Sequence, residues 1–293
     1  MIARLPAAES FVREVSLVPP SGLITLLTDF GNADGYVAAM KGAILSINRN
    51  AGIVDLSHEI APQDIAAAEL LLPTHYKYFP RGTVHVAIVD PGVGTDRRAL
   101  ACAFDGHYFV APDNGLLDFC AAGDHFAVAL NQHEYWRQEV SHTFHGRDVF
   151  APVAAHITLG VPLLRLGAQI ALREHQPQKI PRLENGALAG EVIYIDWFGN
   201  AISNITAQEF WNFCGARAFQ IKIAALTFER LLPAYGHAAV HEPVALIDSF
   251  ERLEIGRNQG HAAQSFNLKI GMSIIVSRGA TFFHHALSPT QRI

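Results

Sequence analysis

Cysteine is scarce in this sequence, which limits both disulfide and metal chemistry. The three cysteines, Cys102, Cys120 and Cys214, are odd in number, far apart and form no CxxC pair. This pattern excludes a disulfide framework and a zinc knuckle, and no HExxH metal-binding motif occurs either. Because such cysteine usage fits a reducing compartment, we expect a cytoplasmic protein.

An excess of positive charge and long apolar runs are also missing. The 22 Lys and Arg residues are scattered and are outnumbered by 27 Asp and Glu, which gives a formal net charge of -5. A nucleic-acid surface is therefore not expected, and the partner should be a small molecule or a protein. Residues 1–22 mix charges with prolines and lack the apolar core of a signal peptide or membrane span. We interpret them as an extension ahead of the first strand.

The segment TVHVAIVDPGVGTDRR, residues 83–98, carries the strongest chemical signal. Its apolar, β-branched run predicts a strand buried on both faces, with Asp90 at the carboxyl end, where open α/β sheets place their chemistry. Gly92 and Gly94 allow a tight loop that returns Arg97 toward Asp90. On its own this pattern also fits ordinary turn chemistry and a structural ion pair.

The same arrangement recurs along the first half of the chain. Apolar strands are expected to run into Asp29, into Asp55 with His58, and into Asp113 of a PDNG segment. Each could be only a turn, and PDNG is a strong turn signal in any context. Four strands that finish in acids nevertheless predict an acidic cleft at one edge of a sheet.

The length of 293 residues, half of them hydrophobic, favours two domains. Strand and helix patterns alternate over residues 23–173, which predicts an α/β/α domain with a mainly parallel central sheet. Residues 174–187 gather prolines and charges and are interpreted as a linker. Short β-rich runs over residues 188–293 predict a smaller all-β, barrel-like domain.

Two helices of the first domain are predicted from apolar residues at helical spacing. One covers residues 34–47 with Asp34 as the candidate N-cap, and the other covers residues 63–72 with Asp64 as its cap.

His145 is predicted to lie at the entrance of a third helix. It stands on the glycine-bearing segment TFHGRD, with Asp148 as a candidate N-cap and Gly160 at the end of the helix. Among the 15 histidines most are expected to be exposed or structurally bonded, and His85 within a strand is one of these. For His145 a functional role is favoured, because loops held by a rigid sheet concentrate catalytic groups.

Six motifs occur in an order typical of one known family. They are TDFG (28–31), KGAI (41–44), VDPGVGTDRR (89–98), PDNG (112–115), TFHGRD (143–148) and IDWFGN (195–200). The chain resembles the S-adenosylmethionine (SAM) hydroxide adenosyltransferase family, the relatives of the fluorinase and chlorinase enzymes. The resemblance runs from Leu23 to about Val276 and leaves the N-terminal extension outside.

The resemblance implies hydrolysis of SAM to adenosine and L-methionine by attack of water or hydroxide at the ribose C5′ carbon, with no cofactor. The catalytic Asp, Arg and His of the family correspond to Asp90, Arg97 and His145. In the halogenating relatives this Asp and His are replaced and a loop is inserted in the first domain. Since the chain keeps all three residues and lacks the insertion, hydroxide is favoured over halide as the nucleophile.

The chemistry explains why these residue types are needed. The leaving group is a neutral thioether, so no general acid is required and the difficulty lies in activating water. Complete transfer of a proton from water (pKa about 15.7) to an ordinary Asp (about 3.9) costs roughly 16 kcal/mol. A guanidinium near the oxygen favours hydroxide character, while Asp90 and His145 orient it and one of them takes the proton late, as attack proceeds.

The resemblance also implies residues that bind the substrate. Asp29 would bind the ribose hydroxyls, Phe198 and Asn200 would contact adenine, and Asp196 would take the methionine ammonium. The remaining implied contacts are Tyr36 and Ser249 at the amino-acid end and Arg257 and Asn258 near adenine. Halogenating relatives carry an Arg where this chain has Phe250, so the partner of the substrate carboxylate stays open.

Family members are trimers, which implies a homotrimer with each substrate between the first domain of one subunit and the second domain of its neighbour. Three other readings stay open. A chlorinase-like halogenase is one, and a non-catalytic adenosine-binding module is another. The third is a metal-dependent hydrolase with ligands among Asp29, Asp55, His58, Asp90 and His145, although their spacing is not typical of a dinuclear site.

Overall fold

The computed structural model describes residues 18–173, 175 and 180–279. The chain divides into two compact units, with the boundary after residue 176. Most of the predicted extension, residues 1–17, lies outside the described residues, as do residues 280–293 of the predicted second domain. Within the described ranges no helix is long and apolar enough to cross a membrane.

The first unit alternates strands and helices. Its described strands are β1 (Leu23–Thr28), β2 (Gly52–Ser57), β3 (Val84–Ile88), β4 (Ala99–Phe104), β5 (His107–Pro112), β6 (His125–Ala129) and β7 (Gln169–Ile170). Its described helices are α1 (Tyr36–Ile47), α2 (Ile65–His75), α3 (Ala151–Thr158) and α4 (Leu163–Leu166). Short 3₁₀ turns cover Tyr76–Tyr78, Asp118–Ala122 and His133–Tyr135, and a single π-turn, Gly146–Phe150, leads into α3.

The sheet of the first unit is mixed, so the prediction of a mainly parallel sheet is wrong. The strand order is β2-β1-β3-β5-β4-β6-β7. Neighbours from β2 to β5 run parallel, whereas β5-β4, β4-β6 and β6-β7 are antiparallel. For β4 and β5 the cause is the turn Asp105–Gly106 between them, where both residues have positive φ. Such a two-residue Asp-Gly turn makes a β-hairpin, whose strands are antiparallel.

The helix signals were only partly right. Asp64 caps α2 as predicted, since its side chain accepts a hydrogen bond of 3.0 Å from Ala67 N. The N-cap of α1 is Gly35, with φ of 73° and no side-chain cap, so the prediction of Asp34 is wrong. The predicted cap Asp148 is also wrong, because it lies inside the π-turn and is buried against arginines. Gly160, with φ of 85°, follows the end of α3 as expected.

The core of the first unit lies on the sheet and under α1 and α3. Buried residues of β1 and β3 face those of the two helices, including Ile24, Val86, Met40 and Val153. β1 and β3 are central strands and their side chains are buried almost throughout. This rigid centre fixes the loops that leave the carboxyl ends of β1 and β3.

The second unit is dominated by one antiparallel sheet. Its described strands are β8 (Arg182–Glu184), β9 (Ala187–Ile195), β10 (Ala201–Thr206), β11 (Phe219–Ile223), β12 (Leu226–Phe228), β13 (Pro243–Ile247), β14 (Arg252–Arg257) and β15 (Ser273–Arg278). β9 bonds to β15 along its first half and to β10 along its second half, which curls the sheet toward a barrel. β8 falls within the stretch 174–187 that was interpreted as a linker.

The described part of the second unit also holds the helices α5 (Ala207–Cys214) and α6 (Ala262–Phe266), so the all-β prediction needs correction. Thr206 and Glu209 form a complete capping box at the start of α5. The sequence TAQE, residues 206–209, carries the usual signature of this box. This local signal starts a helix even though the sequence on either side forms strands.

Candidate active site

The loops after β1 and β3 enclose a cavity of about 400 Å³. β1 and β3 are parallel neighbours with Thr28 opposite Ile88, so Asp29 and Asp90 leave the sheet at the same edge. The cavity is lined by Asp29, Phe30, Tyr36, Pro62, Gln63, Ile88, Asp90, Pro91, Val93, Thr143, Phe144, His145 and Gly146. A volume of this size suits a small organic ligand.

Asp90 and Arg97 form a largely buried, bidentate ion pair beside this cavity. Arg97 Nε donates to both carboxylate oxygens at 2.8 and 2.9 Å, and Nη2 also donates to Oδ2. The loop can close this tightly because Gly94 has φ of 78° and a Cβ there would lie 2.4 Å from His142 O. The guanidinium also lies over the ring of Phe150, with 5.3 Å from Cζ to the centroid.

His145 completes a trio with this pair. Arg97 Nη2 lies 2.9 Å from His145 Nδ1, and a guanidinium carries only donors, so Nδ1 is the acceptor. The remaining ring hydrogen is therefore on Nε2 and the imidazole is neutral. Burial, together with the nearby Arg97 charge, holds the pKa of His145 below its usual value. The arrangement can orient and polarise one small polar molecule.

Asp29 is held at the rim of the cavity by the backbone. Its Oδ2 accepts a hydrogen bond of 2.8 Å from Gln63 N. Gln63 itself has φ of 69°, an uncommon conformation for a non-glycine residue that concentrates at functional sites. Nothing in the sequence marks Gln63 as a site residue.

Three aromatic rings form one wall of the cavity. Phe30, Tyr36 and Phe144 lie with ring centroids 5.2 to 6.0 Å apart. Of these, Tyr36 is a predicted site residue, whereas Phe30 and Phe144 are not, although both stand inside motifs that were recognised. Gly146 packs closely beside this wall, since a Cβ there would lie 3.2 to 3.3 Å from both phenylalanine rings.

The predicted acidic cleft is only half right. Asp29 and Asp90 line the cavity, whereas Asp55 and Asp113 do not. Asp55 lies inside β2 rather than after it and pairs with Lys41. Asp113 follows β5 as expected, but its carboxylate accepts a 2.6 Å hydrogen bond from Arg98 Nε.

The other predicted site residues all belong to the second unit. In the turn after β9, Asp196 accepts hydrogen bonds from the backbone N (2.8 Å) and side-chain Nδ2 (3.0 Å) of Asn200. The same turn exposes two aromatic rings, since Trp197 is 91% and Phe198 72% accessible. The turn therefore combines a fixed carboxylate with an exposed apolar surface.

Behind this turn lies a buried acid. Tyr235 Oη donates to Glu254 Oε1 at 2.7 Å and lies 3.3 Å from Asn200 Nδ2. Burial raises the pKa of Glu254 to about 7, with Asp248 and Asp196 adding to the rise and the bond from Tyr235 opposing it. Burial likewise raises the pKa of Tyr235.

Ser249, Arg257 and Asn258 lie on loops and strand ends of the second unit. Ser249 is exposed in the turn between β13 and β14. Arg257 donates to His241 O (2.7 Å) and to Ser265 Oγ (2.6 Å), and Asn258 donates to Ala238 O at 2.8 Å. In this structure Arg257 and Asn258 brace their own loop.

Comparison with known proteins assigns the family. The sequence model of the SAM hydroxide adenosyltransferase N-terminal domain matches residues 24–167, and that of the C-terminal domain matches residues 190–275. This protein belongs to the SAM hydroxide adenosyltransferase family. The matched N-terminal region contains the Asp90, Arg97 and His145 trio together with the cavity beside it.

Several members of the family are similar over nearly their whole length. An (R)-S-adenosyl-L-methionine hydrolase of Salinispora tropica is 35% identical, covering 89% of this chain and 99% of the relative. One from Thermus thermophilus is 34% identical, with coverage of 86% and 98%. A fluorinase of Actinoplanes sp. is 28% identical, with coverage of 89% and 100%.

A solved structure has a similar fold. It is an uncharacterized conserved protein from Thermotoga maritima, with a TM-score of 0.81 and 35% identity, covering 87% of this chain and 100% of that chain.

The residues considered above as metal ligands do not converge in this family member. Asp90 is bonded to Arg97, and Asp55 is bonded to Lys41. Within the ranges that the structure describes, no group of three or more His, Cys, Asp or Glu is arranged to hold a metal ion.

Proposed function

We propose that this protein hydrolyses SAM to adenosine and L-methionine. The observation that carries the proposal is the trio of Asp90, Arg97 and His145 at the edge of a ligand-sized cavity. Relatives that are 34 to 40% identical and carry the name (R)-S-adenosyl-L-methionine hydrolase support it. We include in the proposal a cytoplasmic location and the absence of a cofactor.

The reaction is an in-line displacement at C5′. The water oxygen forms a bond to C5′ while the C5′–S bond breaks. The electron pair of the broken C5′–S bond stays on sulfur, which leaves as the neutral thioether of methionine. The positive charge of the sulfonium disappears, so the only group that needs help is the nucleophile. One proton of the water is released as attack proceeds.

The hydrogen bonds of the trio divide the work between its members. His145 accepts from Arg97 at Nδ1, so its Nε2–H is a donor and cannot take a proton. Asp90 Oδ2 accepts from both Nε and Nη2 of Arg97, whereas Oδ1 accepts only from Nε and keeps a lone pair for a proton. We therefore assign the late proton transfer to Asp90, the orienting bond to His145 and stabilisation of hydroxide character to Arg97.

Asp29 and the aromatic wall are the proposed substrate contacts of the first unit. A carboxylate can accept from both hydroxyls of a ribose, and the bond from Gln63 N fixes its orientation. Rings of the kind that Tyr36 contributes favour a nearby cation such as a sulfonium.

The second unit is proposed to complete the site of a neighbouring subunit in a homotrimer. The exposed ring of Phe198 offers a stacking surface for adenine, and Asp196 offers a carboxylate to the substrate ammonium. Asn200, Ser249, Arg257 and Asn258 are proposed as further contacts. Because Asp196 and Asn200 are bonded to each other, the turn is preorganised and loses little entropy on binding.

The proposal is tested by incubating the purified protein with SAM and quantifying the products by chromatography and mass spectrometry. We expect adenosine and methionine in equal amounts, and loss of most turnover in the Asp90→Asn variant. A parallel incubation with chloride tests the halogenase alternative. Formation of 5′-chloro-5′-deoxyadenosine, or absence of adenosine from the wild type, contradicts the proposal.

A further inference from the structure

A line of polar side chains lies next to the cavity without lining it. Lys41 Nζ on α1 donates to Asp55 Oδ2 of β2 at 2.6 Å. Asp55 Oδ1 lies 3.1 Å from His58 Nε2. His58 Nδ1 lies 2.8 Å from Oγ1 of Thr28, the last residue of β1. We call these four residues the Thr28 network.

The order Thr, His, Asp in this network is that of a nucleophilic triad, but a nucleophilic role does not fit. Thr28 is fully buried and His58 is 3% accessible, so no substrate can reach the hydroxyl. Buried hydroxyl and imidazole groups are costly unless they are bonded. The hydroxyl of Thr28 and the imidazole of His58 are bonded to each other beside the loop that carries Asp29, and this placement favours a structural role for both.

The network holds both sides of Asp29. Thr28 Oγ1 accepts a hydrogen bond of 3.3 Å from Phe30 N, immediately after Asp29. The backbone carbonyl of His58 accepts a bond of 2.8 Å from Gly31 N. Asp29 itself is held by Gln63 N. Three independent bonds thus fix the turn from which this carboxylate reaches the cavity.

Lys41 and Asp55 connect the network to the aromatic wall of the cavity. Lys41 stands on α1, the helix that begins with Tyr36. Burial opposes ionisation of Asp55, but the contacts from Lys41 and His58 outweigh it and hold the pKa of Asp55 below its usual value. The ionised carboxylate ties α1 to β2 and thereby to the turn after β1.

We infer that Thr28, His58, Asp55 and Lys41 are positioning residues that set the affinity for the substrate by fixing Asp29. The inference rests on the proposed function, in which Asp29 binds the ribose hydroxyls. A preorganised carboxylate saves the cost of ordering the loop when the substrate binds. Loss of the network should therefore weaken binding and leave the chemical step nearly intact.

The chain provides a matched control for this test. Thr25 lies on the same strand, is fully buried like Thr28, and has Oγ1 2.7 Å from His85 Nδ1. Thr25 is absent from the lining of the cavity and points to a histidine in the centre of the sheet. Thr→Val at either position removes one hydroxyl from a buried Thr–His pair at nearly constant volume.

The first experiment compares Thr28→Val, Thr28→Ser and Thr25→Val in steady-state kinetics with SAM. We expect Thr28→Val to raise KM about 10-fold with kcat within about threefold. Thr28→Ser, which keeps the hydroxyl, should restore KM. Thr25→Val should lower the melting temperature as much as Thr28→Val does but leave KM unchanged. Equal KM changes in the two valine variants, or no change in Thr28→Val, overturn the inference.

The second experiment asks whether the effect passes through Asp29. In an Asp29→Asn background, Thr28→Val should add little further increase in KM, because the carboxylate that it positions is gone. Additive increases overturn the inference even if Thr28→Val alone weakens binding.

Calorimetric binding of adenosine separates this inference from the proposed function. Adenosine carries the same ribose hydroxyls, so Thr28→Val should weaken its binding about 10-fold as well. If the wild type binds adenosine but does not turn over SAM, the proposed hydrolysis is refuted. The positioning role is then decided by comparing the dissociation constants for adenosine of Thr28→Val and wild type. Equal adenosine affinity in Thr28→Val and wild type overturns the positioning role alone.

Discussion

Arg97 is the residue on which the proposed chemistry depends, since it bonds to both other members of the trio. Its guanidinium donates to Asp90 through two nitrogens and to His145 through Nη2. A single fixed fork therefore sets the tautomer of the imidazole and the orientation of the carboxylate. The ammonium group of a lysine, which is a point charge on a flexible side chain, cannot reproduce this planar two-nitrogen geometry.

The Arg97→Lys variant tests this argument because it keeps the charge and removes the fork. We expect kcat to fall about 100-fold, with KM for SAM nearly unchanged, since the lost contacts act on the nucleophile. Steady-state kinetics measure both parameters, and the melting temperature checks that the fold is retained. A kcat within about twofold of wild type would show that charge alone suffices.

At the scale of single elements, the carboxyl ends of β1 and β3 could be predicted well. Buried β-branched runs followed by an acid placed Asp29 and Asp90 at one edge of the sheet, and the loop glycines indicated the return of Arg97. The hairpin turn Asp105–Gly106 was the missed signal, and it makes β4 and β5 antiparallel.

The remaining errors have a common physical cause. Asp55 was expected after β2 but lies within it, where its carboxylate pairs with Lys41 of α1. The position of Gln63 depends on a positive φ and a tertiary bond to Asp29, which leave no local pattern. Contacts between distant segments decide such details, and spacing along the chain does not encode them.

His85 on β3 was expected to be structural, and it lies at the centre of the sheet. Its Nδ1 contacts Thr25 Oγ1 at 2.7 Å and its Nε2 lies 3.2 Å from His107 Nδ1. Burial, helped by the nearby His107, lowers the pKa of His85 to about 3. The ring therefore stays neutral in the folded protein throughout the mildly acidic range.

This histidine predicts a loss of stability in acid. Below about pH 6.5 the unfolded chain binds a proton at His85 that the folded chain rejects, so the free energy of unfolding falls until about pH 3. Between pH 6.5 and pH 5 the loss should be about 2 kcal/mol from this residue alone. Urea unfolding at the two pH values should show a smaller loss in His85→Gln. The same pH dependence in variant and wild type contradicts the assignment.

At the scale of the whole molecule, the proposed site is divided between two units of the chain. The trio belongs to the first unit, whereas the exposed Trp197 and Phe198 belong to the second. Two large aromatic rings exposed on one turn are unusual for a surface that stays in water. The proposed homotrimer, in which a neighbouring subunit would cover these rings, accounts for this exposure.

Mixing two inactive variants tests the proposed homotrimer and its shared site. Asp90→Asn inactivates the part of the site on the first unit, and Asp196→Ala inactivates the part on the second unit. Each variant alone should therefore be inactive. Statistical mixing of equal amounts should restore about a quarter of wild-type activity, because that fraction of sites combines two intact halves. Mixing Asp90→Asn with His145→Ala, both in the first unit, is the control and should restore none. Absence of rescue in mixed trimers whose formation is verified contradicts the shared site.

The most direct test of the central claim is hydrolysis of SAM in oxygen-18 water, followed by mass spectrometry of both products. If the trio directs water to C5′, the adenosine 5′-hydroxyl carries one oxygen-18 atom and methionine carries none. Adenosine formed without the label would contradict attack of water at that carbon.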